Sequence, residues 1–372
     1  MSQIATAAGE RAKRSRAKLY CVILRKEGKG MVLFNSDYTE GAHPTILQKL
    51  NETNFVQTVG YGEDEYCEEA KGLIQKACNN TNVDVHFLVG GTQTNAIVIA
   101  AALRPHQGVI AADTGHINVH ETGAIEATGH KVLSLPNKDG KIMAKQVEQI
   151  YQNHKDDDAF EHVVQPKMLY ISHPTEMGTL YTKQELLELR EVCDAAGFSL
   201  FLDGARLGYG LMAPDTDVTL EFLAQICDVF YIGGTKVGAL FGEAVVICNP
   251  DMKTDFRYII KQRGGMLAKG RLLGVQFGVL FTDNLYCEIA KHAIDLSMKI
   301  KYELTKQGYQ FAIESNTNQQ FVILSNERYN NLREKYGLTF WEKYDDKQSV
   351  IRICTSWATK EEAVLELIRD MA

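Results

Sequence analysis

Ser199-Leu200-Phe201-Leu202-Asp203-Gly204-Ala205-Arg206 is the stretch from which the fold is read. Residues 199–202 show no polar alternation, as expected of a strand buried on both faces in a parallel sheet beneath helices. The strand then runs into a carboxylate. An acid leaving a buried strand is costly unless it is paired. Asp203 therefore needs a cation, either from a ligand or from Arg206 in an internal salt bridge. Arg206 can instead take a substrate carboxylate through its two-pronged fork.

The same pattern extends in both directions. Residues 83–89, 108–112, 131–135, 168–171 and 229–232 read as further buried strands, rich in Val, Ile and Phe. Helical periodicity occupies 95–103, 183–196 and 220–227. Residues 244–248 return so soon after 229–232 that an antiparallel neighbour is expected. The spacing predicts a solvated loop over 153–162, a long helix over 280–310, strands near 320–324 and 350–354, and a last helix from Lys360. The fold class is α/β: a mostly parallel sheet covered by helices, followed by a smaller α+β C-terminal domain. The expected divisions are a basic extension at 1–30, a large domain at 31–275 and a small domain at 276–372.

Composition bounds the function. The chain has 372 residues, 45% hydrophobic and 23% charged, with a net charge of -7. That balance suits a soluble globular protein and gives no electrostatic reason for a nucleic-acid or anionic-membrane partner. No apolar run approaches the ~18 residues that span a bilayer. Eight scattered cysteines, none in a C-x-x-C pair, read as reduced thiols in a cytoplasmic protein. Eight basic residues against Glu10 and Glu27 set residues 1–30 apart. They read as a frayed extension, or as an upstream start with Met31 the functional one, rather than as a targeting presequence, and carry no catalytic role.

Some motifs are set aside. Gly208–Ala213 fits G-x-G-x-x-A, but it follows its strand by several residues and lacks an acidic partner ~20 residues on. No phosphate loop of the G-x-x-x-x-G-K-[ST] type and no G-x-S-x-G elbow occurs. His116 and His120 would share a helix face, with Glu121 beside them, but no third metal ligand is placed by sequence. No metal is expected.

Three features fall at the carboxyl ends of the expected parallel strands, where open α/β sheets bind ligands. Gly90-Gly91-Thr92-Gln93-Thr94-Asn95 can offer helix N-terminal N–H groups to an anion, or can be a plain turn capped by Thr or Asn. Asp203 and Arg206 form the second. The third is Tyr231-Ile232-Gly233-Gly234-Thr235-Lys236, whose lysine is either a nucleophile made reactive by partial burial or a snorkelling surface cation. Taken together, an anion loop, an acid and a lysine match the needs of pyridoxal phosphate: a phosphate cradle, a carboxylate for the ring nitrogen and an amine for the aldehyde.

With these residues in view, the sequence resembles the threonine aldolase/β-eliminating lyase family of fold-type-I pyridoxal-phosphate enzymes. The resemblance runs from about Met31 to the C-terminus. It is carried by Asn35-Ser36-Asp37-Tyr38, Tyr61-Gly62-Glu63-Asp64, Gly91-Thr92, Gly115-His116-Ile117, Asp203-Gly204-Ala205-Arg206, Thr235-Lys236 and Ile351-Arg352. It implies that Lys236 joins the cofactor, Asp203 meets its ring nitrogen, Gly91 and Thr92 hold its phosphate, and His116 stacks on its ring. It also implies that Ser36, Arg206 and Arg352 bind the substrate carboxylate; without it, Arg352 would read as an edge-strand surface charge.

Two tracts depart from the family pattern. Where the family often carries Glu-Asn-Thr-His, whose histidine handles the substrate hydroxyl, this chain has Ser172-His173-Pro174-Thr175-Glu176. His173 is the shifted candidate. Where the family has a Gly-Gly-Gly-Met-Arg-Gln tract reaching a neighbouring subunit's phosphate, the arginine position holds Leu267, with Arg263 or Lys269 as replacements.

The implied activity is retro-aldol cleavage of a β-hydroxy-α-amino acid to glycine and an aldehyde. The base for the hydroxyl is His116, His173 or a water they position. β-Elimination or transamination on the same scaffold is the alternative, and a non-catalytic binding protein of this fold is a more distant one. The resemblance also implies a homodimer or homotetramer.

Overall fold

The computed structural model describes residues 30–372, so the reading of residues 1–29 lies outside the described residues. Seven strands build the main sheet. They are β1 (Asp84–Leu88), β2 (Gln107–Ala112), β3 (Val132–Leu135), β4 (Gln165–Ser172), β5 (Ser199–Asp203), β6 (Val229–Gly233) and β7 (Glu243–Ile247). Their spatial order is β1-β7-β6-β5-β4-β2-β3. Strands β2 to β6 are parallel. Strand β7 is antiparallel to both β6 and β1, as its short return requires.

The uninterrupted apolar character of these strands has a direct cause. Successive side chains enter opposite layers. Met168 and Tyr170 of β4 pack on one face of the sheet, and Leu169 and Ile171 on the other. Both layers are closed by helices, so neither face of the strand can be polar.

The helices that position the cleft are α1 (Gly91–Ala102), α2 (His116–Val119), α3 (Ala144–Lys155), α4 (Lys183–Ala196), α5 (Leu207–Leu211), α6 (Leu220–Ile226), α7 (Arg271–Phe281) and α8 (Leu285–Lys306). Local chemistry sets their ends. Thr182 and Glu185 form a reciprocal capping box that starts α4, and Gly197 at φ 66° stops it. Two expectations are corrected. Helix α3 runs through 153–155 into the expected loop, because Val147 is buried and anchors the amphipathic stretch. The long helix expected over 280–310 is α8, which starts only at Leu285 and is separate from α7. The two are broken apart at Thr282–Asn284, where Asp283 and Asn284 take φ of 50° and 63°. Gly208 of the discarded glycine motif lies in α5; a Cβ there would meet the Tyr286 ring at 2.9 Å, so close packing explains it.

Helix α7 runs unbroken through residue 275 and ends at the 282–284 turn. Helix α8 serves two cores. Its Tyr286, Ala290, Ala293 and Ile294 pack under the main sheet, while Leu296, Ile300 and Leu304 pack in the C-terminal part. There β8 (Phe311–Ile313), β9 (Gln319–Ser325), β10 (Thr339–Lys343) and β11 (Gln348–Cys354) form an antiparallel sheet in the order β10-β11-β9-β8. The final helix is α9 (Glu361–Asp370). The segment after Gly30 joins this sheet region rather than the large one. Val32–Leu33 pairs with Tyr336–Gly337, and Phe34 bonds to Gly337 and Cys354 through its backbone. That stitching carries Ser36 and Asp37 to the boundary between the two parts. Among the described residues no helix is long and apolar enough to cross a membrane.

Candidate active site

A cleft opens where β5 and β6 end and β7 begins. Its walls include Gly91, Thr92, His116, Glu176, Asp203, Arg206, Lys236 and Glu243. The parallel strands deliver their carboxyl ends to this edge. The antiparallel β7 delivers its start, which sets Glu243 opposite Gly233.

Asp203 closes β5 and is almost fully buried. Four donors hold it. Tyr231 Oη (2.5 Å) and the Ala205 N–H (3.0 Å) donate to Oδ1, while Tyr170 Oη and Asn95 Nδ2 (3.3 Å) donate to Oδ2. Burial, and then Asp203 itself, push both tyrosines well above their ordinary range, so each remains a neutral donor. Asp203 makes no pair with Arg206, and that alternative is removed.

Arg206 bonds instead to Asp37, Nε to Oδ2 at 2.6 Å and an NH2 proton to Oδ1 at 3.0 Å. Asn318 Nδ2 donates to the same carboxylate at 3.0 Å. Burial would raise the Asp37 carboxyl, but the Arg206 and Lys236 charges outweigh it and hold the carboxyl below its usual range. Burial would likewise weaken the Arg206 guanidinium, but Asp37 raises it further.

Lys236 follows β6 after the two glycines. Its side chain lines the cleft, and among the described residues no carboxylate lies within ion-pair distance of its amine. Burial, then the Arg206 charge, lower its proton affinity. Glu243 lies beneath the turn. Its Oε1 accepts from Thr235 Oγ1 at 2.9 Å and its Oε2 from the Gly234 N–H at 3.2 Å. Burial pushes this carboxyl up to about 8.

Helix α1 begins at Gly91 behind Gly90, and no side chain caps it. The capped-turn alternative is therefore removed, and the first N–H groups of α1 point toward the cleft without an intrahelical partner. A Cβ on Gly91 would meet Tyr231 Oη at 3.0 Å, so a side chain there would crowd the tyrosine that holds Asp203.

His116 opens α2. Its Nδ1 lies 2.7 Å from Glu121 Oε1, which also accepts from Asn95 Nδ2 at 2.7 Å. The His116 and His120 rings lie 5.6 Å apart, in mutual contact. The backbone N–H of His116 donates to Glu176 Oε1 at 2.9 Å, and Ser172 Oγ donates to the same oxygen at 2.6 Å. Burial raises the Glu176 carboxyl above its ordinary range.

The remaining sequence candidates divide. Ser36 is buried, and its Oγ has no hydrogen-bond partner among the described residues. Arg352 donates to the Asn35 carbonyl at 3.0 Å and to Gln319 Oε1 at 3.1 Å, with its guanidinium over the Trp341 ring. Burial and the nearby Arg206 charge lower its proton affinity, so it is not an edge-strand surface charge. Neither residue lines the cleft directly. His173 does not line it either. Its ring is wholly buried with both nitrogens unpartnered, and burial pushes it down to about 4. Leu267 lines a separate cavity with Tyr61 and Arg257, while Arg263 shares a groove with Thr92 and Gln93.

Five groups escaped the sequence reading as site residues: Asp37, Tyr170, Glu176, Tyr231 and Glu243. Asp37 and Tyr231 lay inside tracts already singled out, and Glu176 ended the departing 172–176 tract. A buried polar residue at the mouth of an apolar strand was the available signal for Glu243.

Comparison with known proteins gives a consistent picture. A family model described as beta-eliminating lyase matches residues 34–327. The low specificity L-threonine aldolase of Pseudomonas aeruginosa is 28% identical over 344 residues, covering 91% of this chain and 96% of that one. A structure of Leishmania major threonine aldolase is 44% identical with a TM-score of 0.89, covering 91% of this chain and 98% of that one. Cystalysin from Treponema denticola, which contains a pyridoxal 5'-phosphate cofactor, is 16% identical with a TM-score of 0.68, covering 95% and 93%; at that identity the likeness is one of fold.

Proposed function

The chain belongs to the beta-eliminating lyase family, and from that premise we propose that it is a pyridoxal-phosphate-dependent aldolase. Its substrates are β-hydroxy-α-amino acids such as threonine, which it cleaves to glycine and an aldehyde. The threonine aldolases of Pseudomonas and Leishmania, similar over nine-tenths of the chain, support this reading. The observation that carries it is the cleft itself: an amine without an ion-pair partner among the described residues shares it with a carboxylate held by four donors.

The residues present fit the cofactor. The uncapped start of α1, with Gly91 and Thr92, would take its phosphate, because unpaired N–H groups and the helix dipole favour an anion. A side chain at position 91 would fill that cradle toward Tyr231. Asp203 would face the ring nitrogen, Lys236 the aldehyde and His116 the ring face. When bound, pyridoxal phosphate supplies an electron-poor ring that makes cleavage of a bond at the amino acid's α-carbon feasible.

The chain's own residues do the rest. Tyr170, Tyr231, Ala205 and Asn95 fix the Asp203 carboxylate in one orientation, so no reorganisation is needed when charge develops opposite it. Asp37 holds two of the Arg206 N–H groups and leaves the others to a substrate carboxylate, which Ser36 and Arg352 would help to fix. Fixing that carboxylate orients the Cα–Cβ bond, and orientation selects which bond breaks. Burial and the Arg206 charge lower the proton affinity of Lys236, which favours the neutral amine that would hold the cofactor.

The seven described cysteines are free, which supports a reducing, cytoplasmic setting. The exposed run of Phe55, Val56, Val59 and Tyr61 supports assembly of copies of this chain into a dimer or tetramer.

A product screen tests the reading. The cofactor-loaded protein is incubated with threonine, phenylserine, serine and tryptophan. Glycine and an aldehyde from the first two are expected. Pyruvate and ammonia without glycine would contradict the proposal.

A further inference from the structure

Cleavage of a β-hydroxy amino acid needs one group to accept the hydroxyl proton. That group must line the cleft, must present a free acceptor atom and must be oriented by its neighbours. The cleft offers few candidates. Arg206 has only donors. Both oxygens of Asp203 are taken by its four donors. Both oxygens of Glu243 are taken by Thr235 and Gly234. Lys236 is committed to the cofactor in the reading above. His173, the candidate suggested by its tract, lies outside the lining. His116 has one nitrogen engaged by Glu121, and its ring face is needed against the cofactor.

Glu176 meets every requirement. It lines the cleft and is half-buried there. Both of its side-chain bonds, from Ser172 Oγ and the His116 N–H, fall on Oε1. Those two anchors come from the end of β4 and the start of α2, so two separate elements fix the plane of the carboxyl. Oε2 remains for another proton.

We propose that Glu176 is the catalytic residue that takes the proton of the substrate's β-hydroxyl. The O–H bond breaks and its proton passes to Oε2. The oxygen's electron pair forms the second C–O bond of the aldehyde as the Cα–Cβ bond breaks. The electron pair of that bond leaves with the glycine fragment, whose carbon is then protonated, so the reaction is an isomer-to-products split with no outside reactant. The titratable groups around Glu176 are Asp203, Tyr170, Tyr181 and His116. Burial is the largest influence and raises its proton affinity, which suits a base working near neutrality.

The inference rests on the aldol-cleavage reading, and the test separates the two. Wild-type and Glu176→Gln holoenzymes are compared in three measurements: aldehyde release from phenylserine, the pH profile of kcat/KM, and glycine binding followed by the cofactor's absorbance. Glu176→Gln is expected to lower kcat about 100-fold or more and to lose the acid limb of the profile, with glycine affinity within about threefold of wild type. Cleavage within about fivefold of wild type, a retained acid limb, or equal loss of glycine binding would each overturn the proposal. If Glu176→Gln does not fold, Glu176→Asp decides. Its retracted carboxylate is expected to cost about tenfold or more in kcat while keeping the acid limb, and full activity would overturn the role. A wild-type enzyme that releases pyruvate would sink the aldolase reading itself, whereas an active Glu176→Gln aldolase would sink only this inference.

Discussion

Arg206 and Asp37 are 169 residues apart in sequence and are joined by two hydrogen bonds of 2.6 and 3.0 Å. The aspartate arrives on the segment stitched to the C-terminal sheet, and the arginine leaves the end of β5 in the main sheet. The pair therefore ties the two parts of the molecule together at the cleft. It also occupies one edge of the Arg206 fork and leaves the guanidinium's other N–H groups free of Asp37.

Asp37→Asn should leave a folded enzyme whose Arg206 is less firmly aimed. KM for threonine is expected to rise about tenfold, with a smaller change in kcat. Asp37 also raises the proton affinity of Lys236, so the pH transition in the absorbance of the cofactor-loaded lysine should move to lower pH in the variant. Steady-state kinetics and a pH titration check both statements. An unchanged KM would mean that Arg206 does not hold the substrate carboxylate. Asp37→Ala should in addition destabilise the protein by about 3 kcal/mol, because it leaves a largely buried guanidinium unpaired.

Tyr231→Phe removes one of the two hydroxyl donors on Asp203 without changing shape. A hydrogen bond to a charged group contributes about 1.5–3 kcal/mol, so kcat should fall about tenfold or more. Tyr170→Phe should behave alike from the other oxygen. The double variant should lose less than the product of the two single losses, because both act through one carboxylate. Kinetics on the three variants checks this, and full activity in both single variants would remove the clamp from the account.

Glu243 gives a pH prediction for stability. Its folded proton affinity, at about 8, stands above the ordinary value of 4.5. The folded state thus favours the protonated acid. That contribution is complete below about 4.5 and is lost as pH rises through about 8. Cofactor-free wild type should therefore lose thermal stability between about pH 5 and pH 8 relative to Glu243→Gln, which cannot ionise. Parallel melting curves across that range would contradict the assignment.

Much of the fold was legible because its signals are local. Apolar runs without alternation marked β4, β5 and β6, and a charged residue at the end of such a run marked Asp203 and Lys236. Helical periodicity marked α4. What escaped depends on long-range pairing. Nothing near Arg206 points to Asp37, and so the local Asp203–Arg206 salt bridge stood as an alternative. Glu243 reaches the cleft because β7 runs against its neighbours, a placement that depends on sheet order. Glu176 sat in a tract whose histidine drew attention by residue type, yet His173 faces the interior while Glu176 faces the cleft. The break between α7 and α8 was hidden because apolar periodicity continues on both sides of it.

Lys236 is the group proposed to hold the cofactor. The direct test is borohydride reduction of the cofactor-loaded protein, followed by peptide mapping. The account predicts one pyridoxyl-modified residue, Lys236, and loss of both the tag and the turnover in Lys236→Ala. A tag on another lysine, or a Lys236→Ala protein that still cleaves threonine at a substantial rate, would contradict it.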